Sequence, residues 1–185
     1  ATYHAPESIA SVLKPKKVVL HDVLDFYRRN HHARGNDVLT YGKHKYGRDN
    51  VQEELQLTAD FIDRITRNDQ EIIITKSNHD EAFDRWLREA DPKSDPENAE
   101  LYHYMKYHQY KSVKSTDTGF QSFDPFQFWC LNPENGIGLS STRTTTFLRR
   151  DDSVRICGIE VGYHGDVGIN GSRGDVKSLS KLSDK

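Results

Sequence analysis

The sequence predicts an α/β protein, and three observations carry that prediction. Lys17-Val18-Val19-Leu20 and Glu71-Ile72-Ile73-Ile74-Thr75 are short apolar runs rich in β-branched residues, the composition of buried strands. Between and beyond them, apolar residues recur at helical spacing with charges interleaved. Each apolar run ends abruptly in a polar cluster, as strands do where they emerge from a sheet.

Taken in order, Glu7 to Leu13 reads as the end of a helix, closed by Pro15. The first strand follows and stops at His21-Asp22. Residues 28–49, rich in His, Arg, Gly and Asn, read as a long loop. Asn50-Val51-Gln52-Glu53 is a capping-box pattern. From it a helix carries Val51, Leu55, Phe61, Ile62 and Ile65 until Asn68-Asp69 breaks it. The second strand ends at Ser77-Asn78-His79-Asp80, and Glu81 to Ala90 resumes a helix with Phe83, Trp86 and Leu87 on one side. Pro92 and Pro96 mark a turn before a helix from Glu97 to about Tyr110, with Leu101, Tyr104, Met105 and His108 on one stripe. Residues 112–140 show no period and read as loop with one strand around Phe126–Leu131. Thr144–Leu148 and Val154–Tyr163, joined by Arg149-Arg150-Asp151-Asp152-Ser153, read as a hairpin. That second arm ends at His164-Gly165-Asp166. A glycine loop through Gly168, Gly171 and Gly174 then leads into a helix over Val176–Leu182.

Composition narrows the function classes. The 185 residues carry 26 basic and 28 acidic side chains, a net charge of −2, which excludes a simple basic glove for nucleic acid but not nucleic acid as a substrate. The charge is uneven: residues 1–50 hold nine basic and five acidic groups, whereas residues 51–100 hold six and fourteen. The acidic block reads as solvated helix faces. The group His31-His32 beside Arg28, Arg29 and Arg34 suits phosphate or an exposed loop. No stretch approaches the ~20 apolar residues of a membrane span, and the first residues lack the pattern of a secretory signal. Two cysteines, Cys130 and Cys157, make no disulfide framework. A cytoplasmic location is therefore expected.

The chemistry is concentrated where apolar runs end. His21-Asp22, Asn78-His79-Asp80 and His164-Gly165-Asp166 are far apart in sequence, yet sites in open α/β sheets form at the carboxyl ends of strands. One such cluster is ordinarily a turn or helix cap. Three together, all with oxygen or imidazole donors, point to a cation, and Asp, Asn and His suit manganese, iron or zinc.

Ser77-Asn78-His79-Asp80 after Ile72-Ile73-Ile74 resembles the Gly-Asn-His-Asp/Glu motif of the calcineurin-like metallophosphoesterases. Leu20-His21-Asp22-Val23-Leu24-Asp25 resembles that family's Gly-Asp-x-x-Asp motif, and Gly162-Tyr163-His164-Gly165-Asp166 its strand-ending His, in the family's order. His21 and Ser77 stand where the family has Gly, and Phe26-Tyr27 replaces the Arg-Gly of protein phosphatases, which favours the nuclease and nucleotidase branch. A narrower resemblance is to a phage branch that includes a manganese-dependent nuclease concerned with DNA transfer. The family's first motif, Asp-x-His, and last, Gly-His-x-His, are not among these residues. The resemblance thus implies a calcineurin-like sandwich of mixed sheets flanked by helices, with residues 1–185 as the central part of one catalytic domain, incomplete at both ends.

The resemblance also implies roles. Two divalent metals, manganese first with iron, zinc or magnesium as alternatives, would be held in part by Asp22, Asn78 and His164. His79 would act on the phosphoryl oxygens, oriented by Asp80 or by Asp25. Arg173 and Asn170 would meet substrate. The expected activity is metal-dependent hydrolysis of phosphodiesters, as a phage DNase or DNA-transfer protein, with another phage protein as a further partner. A nucleotidase or an inactive scaffold for DNA or a partner is the alternative. Trp86, Trp129 and the tyrosines at 102, 104, 107 and 110 read as packing first and base-stacking platforms second.

Overall fold

The computed structural model describes residues 9–30, 35–67, 69–113, 115–116, 119–120, 123–132, 139 and 144–162. Helix α1 (Ile9–Leu13) precedes strand β1 (Lys17–His21). A 3-10 turn (Tyr27–Arg29), α2 (Asp37–Lys45) and α3 (Val51–Ile65) lead to β2 (Glu71–Thr75). Then come α4 (Glu81–Glu89), a 3-10 turn (Pro96–Asn98) and α5 (Ala99–Ser112). A two-residue pair, β3 (Ser115–Thr116) and β4 (Gly119–Phe120), precedes α6 (Pro125–Leu131). The last described elements are β5 (Thr145–Leu148), β6 (Arg155–Ile156) and β7 (Ile159–Glu160).

The fold is α/β. Strands β1, β2 and β5 form a parallel sheet in the order β1-β2-β5, while β3 with β4 and β6 with β7 are separate antiparallel pairs. Central β2 is buried along Ile72 to Thr75, which is why its sequence is an unbroken apolar run rather than an alternating one. Ile72 and Ile74 meet Leu55 and Ile62 of α3, Phe83 and Leu87 of α4, Leu101 and Met105 of α5, and Phe126 and Trp129 of α6 in one core. Trp86 binds three elements together, with ring centroids 5.9 Å from Phe26, 6.0 Å from Phe83 and 5.5 Å, edge-on, from Tyr102.

Three expectations are corrected. Residues 28–49 are not all loop: Asn36 caps α2 by accepting from Leu39 N at 3.0 Å. That helix buries only Lys43, so its sequence shows no apolar stripe. The strand expected around Phe126–Leu131 is helix α6, started by an Asp124 cap and Pro125 at its first position, with Phe126, Trp129 and Cys130 inward at i, i+3, i+4. Thr145–Leu148 does not pair with the segment after it. The Arg149–Asp152 turn forms (Asp152 N donates to Arg149 O, 3.1 Å), but β5 enters the main sheet beside β2, and the expected second arm instead folds on itself, Arg155–Ile156 pairing with Ile159–Glu160 as β6 and β7. The expected helix at Val176–Leu182 lies outside the described residues.

Candidate functional site

Strands β1 and β2 are parallel and level, with His21 opposite Thr75, so the loops that follow them leave the sheet at the same end and side by side. The first loop turns at Asp22, whose φ of 51° is left-handed, a conformation that short polar side chains tolerate best. Leu24 and Phe26 then plunge into the core, leaving Asp22 and Asp25 exposed on alternate sides of Leu24.

Ser77 and Asp80 form a reciprocal capping box for α4. The Ser77 hydroxyl accepts from Asp80 N (3.2 Å) and from His79 N (3.1 Å), while Asp80 Oδ2 accepts from Ser77 N (2.8 Å). Ser77 is therefore a cap where the resembled family has glycine. The other Asp80 oxygen reaches across to the first loop and accepts from Leu24 N at 3.0 Å. Burial lifts the Asp80 carboxyl above the usual carboxylate range, opposed by these hydrogen bonds and reinforced by the negative charge of Asp22. One buried carboxylate thus ties the two strand-end loops together.

The cap accounts for Ser77 and Asp80 but not for the two residues between them. Asn78 and His79 project outward, exposed. His79 Nδ1 lies 3.1 Å from Asp25 Oδ1, so of the two carboxylates considered for orienting the imidazole, Asp25 makes the contact while Asp80 spends both oxygens on backbone N–H groups. The first loop is also fastened behind Asp25. Glu54 of α3 accepts from Tyr27 N (2.6 Å) and Arg28 N (2.9 Å), and the buried Lys43 ammonium donates to Tyr27 O and lies 4.1 Å from the Tyr27 ring centre. Arg29 forks onto Asp95 with both contacts at 2.7 Å. Sequence reasoning missed Glu54, Lys43 and Asp95, charged residues that no local apolar pattern marks. A cavity of about 320 Å3 beside this loop is lined by Arg28, Arg29, Lys43, Trp86 and Asp95, among others, away from Asp22 and Asn78.

Asp22, Asn78, His79, Asp80 and Asp25 thus gather at one end of the sheet. His164, Arg173 and Asn170 lie outside the described residues. The donors present, a carboxylate and an amide carbonyl at adjacent strand ends, suit a hard divalent cation. Among the described residues, however, no three His, Cys, Asp or Glu side chains come together as a metal-binding group. Nor is any helix among them long and apolar enough to cross a membrane.

Over 176 residues, 94% of this chain, the sequence is 40% identical to Protein A1 of Escherichia phage T5. The chain is similar to a phage protein. It spans about 30% of the length of that relative. No family model matches the chain, and no solved structure does.

Proposed function

We propose that this chain contributes to a phage metal-dependent phosphodiesterase acting on DNA, of the calcineurin-like metallophosphoesterase type. The observation that carries the reading is the joining of the two strand-end loops through Asp80, which holds Asp22, Asn78 and the His79–Asp25 pair at one end of a parallel sheet. The similarity to Protein A1 of phage T5 supports the phage setting. Asp22 and Asn78 are the proposed oxygen ligands, and His164 is the proposed imidazole ligand. The metals, manganese first, would polarise the phosphoryl group and lower the pKa of the attacking water. Asn78 adds an oxygen without adding negative charge beside Asp22. His79, with Asp25 fixing its ring through Nδ1, presents Nε2 outward to a phosphoryl or leaving-group oxygen, where it can hold or donate a proton. Asp80 is a positioning residue, and Asn170 and Arg173 are proposed substrate contacts.

A second reading is a DNA- or partner-binding scaffold without turnover. One experiment separates the two. In the full-length protein, manganese should support cleavage of a DNA phosphodiester. His79→Ala should lower turnover by about 100-fold or more, the scale of a lost acid–base group, while leaving the manganese titration in place. Asn78→Ala should weaken the manganese titration itself. Equal loss of metal affinity and turnover in His79→Ala would make His79 a ligand rather than a proton donor. DNA binding without any manganese-dependent cleavage would leave the scaffold.

A further inference from the structure

Helix α5 carries a surface that the strand-end site does not use. Its inner face is settled by packing. Leu101 and Met105 are buried, Tyr102 meets Trp86, and Tyr104 and His108 pack on Phe128 with centroids 6.2 and 4.6 Å away. At 3.6 residues per turn, the opposite arc presents Lys106, Tyr110, His103, Tyr107 and Lys111, in that order around the helix. Tyr107 is 56% exposed and Tyr110 73%, far more than a ring needs to expose for its hydroxyl to reach water. Lys106 Nζ lies 5.9 Å from the Tyr110 ring centre and Lys111 Nζ 5.0 Å from that of Tyr107, and neither ammonium forms an ion pair among the described residues. From Leu101 to Thr116 the sequence has three lysines, two histidines and four tyrosines but no Asp or Glu, although the preceding fifty residues carry fourteen acids. Glu100, at the far end of the helix, bounds the patch.

Isolated exposed rings are ordinary, and lysines near a helix C-terminus suit its dipole. Two adjacent exposed tyrosines flanked by two lysines, of which Lys106 also donates to Gln109 Oε1 at 3.0 Å, in an acid-free segment combine the two elements of single-strand recognition: flat rings for bases and cations for phosphates. A duplex would offer phosphates and groove edges but no base faces, its bases being stacked on one another. We propose that this Lys-Tyr-His-Tyr-Lys arc docks single-stranded DNA, with Tyr107 and Tyr110 stacking on bases and Lys106 and Lys111 meeting the neighbouring phosphates. The choice of DNA rests on the phosphodiesterase reading; the preference for an unpaired strand rests on the arc alone.

Fluorescence anisotropy of a labelled oligothymidine of about 20 nucleotides, longer than a typical single-strand site, tests this on the full chain with EDTA present, so that no hydrolysis intervenes. Tyr107→Ala and Tyr110→Ala should each weaken binding by about fivefold to a hundredfold, and Tyr→Phe at either position should restore it. Lys106→Gln and Lys111→Gln should each flatten the salt dependence by about 0.7 in log–log slope. Leu57→Ala, which removes an exposed apolar side chain from α3 outside both the arc and the strand-end loops, should bind as the parent does. Unchanged affinity in both tyrosine variants overturns the proposal, as does a duplex of equal length binding as tightly as the single strand. Oligouridine binding more tightly than oligothymidine overturns the choice of DNA.

Discussion

Glu54 shows how a single side chain can position a site it does not enter. Its half-buried carboxylate accepts two successive backbone N–H groups, those of Tyr27 and Arg28, next to Asp25 in sequence. Burial raises its pKa above the usual carboxylate range, against the lowering effect of those hydrogen bonds. The sign of the pH dependence follows. With the folded-state value above the unfolded one, the folded chain holds the proton more tightly, so the Glu54 contribution is greatest below the ordinary carboxylate range and declines as pH rises through the raised value. Glu54→Gln removes one acceptor and the titration together. It should cost about 1–3 kcal/mol from the stranded N–H, and the deficit against the parent should narrow between about pH 4 and pH 8. Urea unfolding at the two pH values measures both. A deficit that widens with pH would mean that Arg28 governs Glu54 and burial does not. At this scale the sequence was a partial guide. The runs around Asp22 and Asn78-His79 stood out because polarity returns abruptly after apolar strands, whereas Glu54 sits among other charges on a helix and nothing local marks it as half-buried. The choice between Asp25 and Asp80 as the partner of His79 was likewise invisible, since it depends on how two loops 54 residues apart are set beside each other.

At the scale of elements, helix starts carry much of the organisation. Asn50 caps α3 by accepting from Glu53 N at 2.9 Å. Asn98, 2% exposed, serves α3 from outside: its Oδ1 accepts from Val51 N at 2.7 Å while its Nδ2 donates to Asp49 O at 2.9 Å and to Asp95. One amide side chain thus joins the start of α3 to the start of α5. Asn50→Ala should cost about 1 kcal/mol, the usual value of a cap. Asn98→Ala should cost about 2–4 kcal/mol, because it strands a buried donor and a buried acceptor together. Thermal or urea unfolding of the two variants checks the order; equal losses would mean that water enters and satisfies the Asn98 site. The capping box at Asn50 was legible because it is a local pattern four residues long. Helices α2 and α6 were not, for different reasons. The inward residue of α2 is a lysine, so periodicity is silent, and the short apolar cluster of α6 fits strand and helix alike until Asp124-Pro125 is weighted as a start signal.

For the whole molecule, the pairing of β5 was the least legible feature. Consecutive apolar runs joined by a polar turn most often form a hairpin, but β5 is drawn to the exposed edge of β2, where Ile72 N donates to Thr144 O and Lys76 N to Leu148 O. The resulting sheet is closed over by helices, and Cys130 of α6 reports on that closure. It is 1% exposed, packed in the core that includes Ile72 and Ile74, and burial pushes its thiol well above the ordinary range. Cys157, in the β6–β7 turn, is exposed. Since only the thiolate reacts with disulfide reagents, the folded chain should release one equivalent of chromophore from such a reagent quickly, and the second only as α6 opens. If α6 leaves the core only when the sheet unfolds, the slow phase should accelerate with urea along the same slope as global unfolding. Cys130→Ser should remove the slow phase and Cys157→Ser the fast one. Two fast thiols in the parent would mean that α6 does not cover the sheet. A slow phase independent of urea would mean that it lifts away by itself, so that the core holding β2, and with it the Asn78-His79 loop, is built without α6.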